Sequence, residues 1–152
     1  MKRILTSLAV LSAGIAAVAG VATTSHAGAS RAGTSIGVRN TSHGRILVDT
    51  AGRTLYLFEA DKANMSNCSS SCLSVWPALT AHVKPHARGG ASASKIGTIS
   101  VAHGKRQVTY AGHPLYYYVG DRKPGQTNGQ GLNQFGAKWY VLSPSGRKID
   151  DD

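Results

Sequence analysis

Residues 44–61 and 104–121 are one segment written twice. Laid sixty residues apart, GRILVDTAGRTLYLFEAD and GKRQVTYAGHPLYYYVGD agree at seven of eighteen positions: Gly, Val, Ala, Gly, Leu, Tyr and Asp. Phe58 faces Tyr118 and Arg45 faces Lys105, so the chemical likeness runs further than the identities. A repeat of that period makes each copy one supersecondary unit. Two such units pack their apolar faces together into a single small domain. This constrains architecture and names no reaction.

Each copy has the same local grammar. In the first, Arg45-Ile46-Leu47-Val48 is β-prone and Asp49-Thr50-Ala51-Gly52 carries turn chemistry. Residues 53–59 then alternate Leu55 and Leu57 against Tyr56 and Phe58, which predicts a β-hairpin. The second copy runs in over 107–110, turns at Ala111-Gly112 and runs out over 113–119, with Pro114 marking a strand start or an edge. A third echo follows: Trp139-Tyr140-Val141-Leu142, a Ser143-Pro144-Ser145-Gly146 turn and a short final strand. One short helix is expected over 69–75, stopped by Pro77 because the residue before proline avoids the helical region. Residues 84–95, rich in Gly, Ala and Ser, read as a mobile loop, and 121–136 as a long loop with a use. The class is all-β: a small compact domain of two pseudo-repeated hairpin-containing halves, with one short helical segment near the cysteines.

Residues 1–27 carry the marks of a signal peptide. Lys2 and Arg3 start it, residues 4–22 are apolar and Ala-rich, and Ser25-His26-Ala27 supplies the small-x-small cleavage pattern. The competing reading is a retained anchor, since the apolar run approaches spanning length. Residues 28–42 are expected to be a flexible leader and 43–150 the domain. After cleavage, fifteen basic and seven acidic residues leave a net charge of +8. A basic exported protein is drawn to anionic polymers and membrane surfaces. The charges form no run like a nucleic-acid arm, which argues against specific nucleic-acid binding. The expected location is secreted, extracellular or cell-wall associated, with a monomer as default and no stable membrane anchor after cleavage.

Tyr56-Leu57-Phe58-Glu59-Ala60-Asp61 and Tyr116-Tyr117-Tyr118-Val119-Gly120-Asp121 both fit Tyr-x-(Phe/Trp/Tyr)-x-x-Asp. Between them lies Cys68-Ser69-Ser70-Ser71-Cys72-Leu73-Ser74-Val75-Trp76-Pro77; after them come Pro124-Gly125, Gly129-Gln130-Gly131 and Trp139-Tyr140-Val141. Over residues 43–150 the chain resembles the bacterial secreted-repeat and predicted-lipoprotein family, common in actinobacteria, that this Tyr/Asp motif defines. It departs at Ser70, where the family often has Gly, and at Ala78, where it often has a second Pro. It also lacks the lipid-attachment Cys of many relatives, so membrane anchoring does not carry over. The resemblance marks Tyr56, Phe58, Asp61, Trp76, Pro77, Tyr116, Tyr118, Asp121 and Trp139 as motif residues. It transfers no reaction.

Two cysteines in an exported domain point to one disulfide, Cys68–Cys72, bracing the segment that leads to Trp76. The alternative adds two histidines: Cys68-x3-Cys72-x9-His82-x3-His86 comes near a Cys2His2 zinc spacing, although its middle spacer is short. That version would be an extracytoplasmic redox or metal-handling protein, since soft thiolates suit Cu(I) and Zn. Asp61 and Asp121, each five residues beyond a strand Tyr, suit a device that holds the hairpin exits by accepting turn amides. Two facing carboxylates could instead serve glycoside hydrolysis, but no catalytic context surrounds either one. No nucleophile elbow, His-Glu-x-x-His or P-loop occurs, and no cofactor is implied. Tyr117 lies opposite Tyr116 and Tyr118 on the pleat. With Gln130 and Asn133 it suggests an outward platform for carbohydrate. The favoured expectation is a non-catalytic, envelope-associated or extracellular binding module for an anionic or carbohydrate polymer.

Overall fold

The computed structural model describes residues 33–150. The expected signal peptide, 1–27, and the first part of the expected leader, 28–32, lie outside the described residues. Nine strands and one α-helix follow in order: β1 (Ser35–Thr41), β2 (Gly44–Val48), β3 (Tyr56–Phe58), α1 (Ser70–Val75), β4 (His86–Ala87), β5 (Ile96–Ser100), β6 (Arg106–Tyr110), β7 (His113–Pro114), β8 (Asn133–Gln134) and β9 (Ala137–Val141). They form three three-stranded sheets, ordered β2-β1-β4, β3-β9-β8 and β5-β6-β7. The all-β class with one short helix beside the cysteines is as expected.

Strand β1 corrects the leader reading. Residues 35–41 pair antiparallel with β2 from Gly37↔Val48 to Thr41↔Gly44, and parallel with β4 at Ser35↔His86 and Ile36↔Ala87. Ile36 is fully buried. The small polar residues around it conceal the strand in the sequence, and tertiary pairing outweighs local propensity there. Pairing with β4 likewise orders part of 84–95, where a mobile loop was expected.

The expected hairpins are present but short, the second pairing β6 with β7 at Thr109↔Pro114 and Tyr110↔His113. At the first, Gly52 donates to the Asp49 carbonyl and Asp49 to that of Arg53, at 3.0 and 2.9 Å. A single bridge, Val48↔Thr54, follows before β3 leaves to pair with β9, Phe58 lying opposite Trp139. The second turn has positive φ at both Ala111 and Gly112, the type I′ signature of a two-residue hairpin loop. It is one residue shorter than the first. Leu55 donates to Leu47, whereas Leu115 donates to Val108, so equivalence is sixty residues after the turns and sixty-one before them. The Val48/Val108 identity of the ungapped overlay is therefore out of structural register.

The two copies meet across a pseudo-two-fold axis. Tyr56 N–H donates to the Tyr116 carbonyl and Tyr116 N–H to the Tyr56 carbonyl, at 2.9 and 3.0 Å, so equivalent residues form a reciprocal antiparallel pair. Leu47 donates to Leu142, and its equivalent Val108 donates to Leu79. The motif aromatics obey the same symmetry. Phe58, Trp139, Trp76 and Tyr118 stack in that order, with centroids 4.1, 3.9 and 4.4 Å apart. Tyr56 stands edge-on to Trp76 and Tyr116 edge-on to Trp139, at 5.3 and 5.2 Å. These rings make one core cluster; a second, aliphatic one contains Ile36, Leu55, Leu57, Val108 and Leu115.

Helix α1 carries out the rest of the plan. Ser69 caps it, accepting from Cys72 N–H at 3.4 Å, and Trp76 ends it one residue before Pro77. The Cys68–Cys72 disulfide spans Cα atoms 5.3 Å apart, inside the ordinary range.

Candidate functional site

The Tyr/Asp motif is local in sequence and crossed in space. Tyr56 of the first repeat donates its hydroxyl to Asp121 of the second at 2.6 Å, and Tyr116 of the second donates to Asp61 of the first at 2.8 Å. Each carboxylate also organises its own loop: Asp61 accepts from Asn67 N–H at 2.7 Å and Asp121 from Asn128 N–H at 2.8 Å. The two asparagine side chains close the same loops on the carbonyls of Ala60 and Gly120. Burial raises both carboxyls above the usual range, against the pull of these donors. It also raises both phenols, helped by the neighbouring carboxylates. Behind Asn128, Gly129 approaches the rings so closely that a Cβ there would sit 2.7 Å from Trp76. Each of these side chains has its hydrogen-bond partner within the protein itself.

A groove of about 400 Å³ opens beside that centre, bounded by Arg53, Pro77, Tyr117, Tyr118, Asp121, Arg122 and Lys123. Its far wall is a tight polar cluster on the first turn. Asp49 is buried; it accepts from Ala51 and Arg53 N–H, and from the Arg53 guanidinium and the Tyr117 hydroxyl, all at 2.8–2.9 Å. The Arg53 guanidinium also lies 3.9 Å from the centroid of the Tyr117 ring. Burial and the Asp49 carboxylate raise the Tyr117 phenol. A second depression of about 450 Å³ continues on the other side of Arg53 and Tyr117. Two more cations reach the same turn: Arg88 donates to the carbonyls of Asp49 and Thr50 at 3.0 Å, and Arg39 to that of Gly52 at 3.5 Å. Arg122 and Lys123 stand exposed on the rim.

A family model described as a secreted repeat of unknown function matches residues 37–80 and 97–143. The chain belongs to this family. No curated protein and no solved structure matches it. An extracellular location accords with the family's description as secreted. The two matched stretches of the secreted-repeat domain follow the structural units: the first begins within β1 and runs past Trp76 to Thr80, and the second begins within β5 and runs through β9. Each repeat is therefore longer than the 44–61 and 104–121 segments visible by eye.

Within the secreted-repeat domain, the nine motif residues come together around the pseudo-two-fold axis. The three residues read as a ligand platform do not share one surface. Tyr117 is half-buried between the aliphatic core and Arg53, with its hydroxyl engaged. Gln130 is a strut: its amide donates to the Ile149 carbonyl at 2.7 Å and accepts from Val141 N–H at 2.8 Å. Asn133 is exposed on β8 opposite Lys138. Neighbouring Gln134 has the central task there, its side chain and backbone carbonyls accepting from the indoles of Trp76 and Trp139. Both cysteine sulfurs are consumed by the bridge, and His82 and His86 are exposed. Among the described residues no three His, Cys, Asp or Glu side chains stand together to hold a metal. The Asp49–Arg53–Tyr117 cluster is what sequence reading missed. Its one signal was an acidic residue opening a turn that an arginine closes, ahead of an aromatic displaced from the Tyr-x-Tyr face.

Proposed function

We propose that the domain is a secreted binding module whose Arg53–Tyr117 groove takes an anionic carbohydrate polymer of the cell envelope. The observation that carries this reading is the gathering of Arg53, Arg122 and Lys123 around one half-buried aromatic ring. A planar aromatic face provides apolar contact for a sugar ring, and guanidinium and ammonium groups provide the charge partners for carboxylate or phosphate substituents. The remainder of the net positive charge would speed encounter with a polyanion and weaken as salt rises. The carboxylates nearest the groove support binding better than acid–base chemistry. Asp49 accepts four hydrogen bonds from the protein itself, and both oxygens of Asp121 are engaged by Tyr56 and Asn128.

Affinity electrophoresis tests this with alginate in the gel as the anionic polysaccharide and dextran as the neutral one. The expected result is retardation by alginate at low salt and none by dextran. Joint replacement Arg122→Ala with Lys123→Ala should reduce the retardation severalfold, and Tyr117→Ala should abolish it in protein whose circular dichroism is unchanged. Equal migration in both gels at low salt would refute the proposal, as would retardation that the three substitutions leave untouched.

A further inference from the structure

Repeat 1 covers both edges of its first strand. β2 runs along one side of β1, and on the other the N–H groups of His86 and Arg88 donate to the carbonyls of Thr34 and Ile36, at 3.1 and 2.9 Å. The equivalent strand of repeat 2, β5, has β6 on one side, and among the described residues no strand pairs with its outer edge. The phase of the ladder identifies the open groups. Val101 donates to Lys105 and Ala111 to Lys95, so the odd-numbered residues of β5 exchange bonds with β6. The Ile96 N–H is taken by the Ala93 carbonyl, so the groups that point outward are the C=O of Ile96 and the N–H and C=O of Thr98 and Ser100. Ile96 holds the place of Ile36, whose carbonyl is taken by Arg88 in the first repeat. The pairing of β5 is unbroken from Ile96↔Tyr110 to Ser100↔Arg106, and the strand contains no proline, so the usual devices that blunt an edge are absent.

We propose that the outer edge of β5 receives an extended strand of a partner protein whose side chains alternate between acidic and apolar. The backbone supplies the hydrogen bonds of strand addition, and the two faces of β5 supply the selectivity. On one face, Arg106 lies over Thr98, donating to its hydroxyl at 2.9 and 2.7 Å. No Asp or Glu occurs anywhere between Asp61 and Asp121, so this sheet offers cations without acidic competitors. On the other face, Ile99 opens into a groove of about 400 Å³ with Val101, Met65 and Leu73. Met65 and Leu73 are 53% and 38% exposed, unusual for residues of their size. A second copy of this chain is the poorer occupant, because β5 itself carries no acidic side chain to meet the cations of this sheet.

The test is amide NMR of the full secreted chain with a capped octapeptide of alternating valine and glutamate, and its valine–lysine analogue as the charge control. The valine–glutamate peptide is expected to shift the amides of Ile96, Thr98 and Ser100 and to slow the exchange of Thr98 and Ser100 at least tenfold. Thr98→Pro, which removes an outward N–H and spares the β6 ladder, should weaken binding at least tenfold. Should that variant fail to fold, Lys105→Glu with Arg106→Glu should reverse the preference toward the lysine peptide. The proposal is overturned by unchanged exchange at millimolar peptide, by equal binding of both peptides, or by shifts confined to the Arg53–Tyr117 groove. Protection that grows with protein concentration in the absence of peptide would instead assign the edge to a second copy and overturn it too.

Discussion

Replacing Tyr56 by Phe removes one hydroxyl and two hydrogen bonds. One is donated to the Asp121 carboxylate at 2.6 Å, and the other is accepted from the Gly129 N–H at 3.2 Å. A bond to an ionised group contributes about 1.5–3 kcal/mol; the lower figure applies here, because Asp121 is half-buried and keeps its Asn128 donor. Gly129 is buried and its N–H is left without an acceptor, which costs about 1 kcal/mol or more. The total is about 3 kcal/mol, or roughly 10 °C in Tm for a domain of this size. Urea denaturation of Tyr56→Phe, Asp121→Asn, Asp61→Asn and the two doubles then locates the interaction. Tyr56 and Asp121 should couple by about 1.5 kcal/mol, and Tyr56 and Asp61, which share no hydrogen bond, by less than about 0.5 kcal/mol. Strong coupling within the motif and none across the repeats would refute the crossed pairing. So would a Tyr56→Phe variant as stable as the parent.

Two further outcomes follow from the same centre. Burial holds the Asp61 and Asp121 carboxyls above their unfolded values, so the folded state keeps these protons to higher pH, and their contribution favours folding at low pH and declines as pH rises through the folded pKa. Tyr56→Phe takes away a donor that favours the ion and pushes Asp121 higher, so its stability penalty should grow with pH across that titration; urea midpoints of parent and variant compared over a pH series give the sign directly. Joint replacement Cys68→Ser with Cys72→Ser should cost about 2 kcal/mol, since the closed loop is small. The near-UV circular dichroism of the Trp76–Trp139 stack should survive, and its loss would show that the bridge does more than brace α1.

Legibility followed the range of the interactions. The turns at Asp49–Gly52 and Ala111–Gly112, the capped helix before Pro77 and the disulfide were readable because neighbouring residues decide them. The partners of β3 were not. Tyr56-Leu57-Phe58 is a good strand wherever it pairs, and the choice of β9 over β2 is made by the Phe58–Trp139 stack, eighty-one residues away. The same holds for Gln130, which looked like a ligand-facing amide and instead satisfies Ile149 and Val141, and for Gln134, whose bonds to the two indoles nothing nearby in the sequence announces. A polar side chain in a glycine-rich loop gives no local sign of whether its partner is solvent, ligand or the protein's own backbone.

What the two repeats share and where they part company separates scaffold from site. The shared set is Tyr56/Tyr116, Phe58/Tyr118, Asp61/Asp121, Asn67/Asn128 and Trp76/Trp139. Neither half satisfies it alone: each Tyr hydroxyl finds its carboxylate, and each Trp its stacking partner, in the other repeat. The motif is thus the device that makes two units into one domain. A groove of about 480 Å³ stands in the first half where the Arg53–Tyr117 groove stands in the second, but there His113 replaces Arg53, Leu57 replaces Tyr117 and Glu59 replaces Val119. Glu59 is paired with Lys148, so that groove presents a neutralised wall. Symmetry retained in the centre serves folding; symmetry broken at Arg53, Tyr117 and the outer edge of β5 lies at the surface, where each change alters the chemistry that the domain presents to its surroundings.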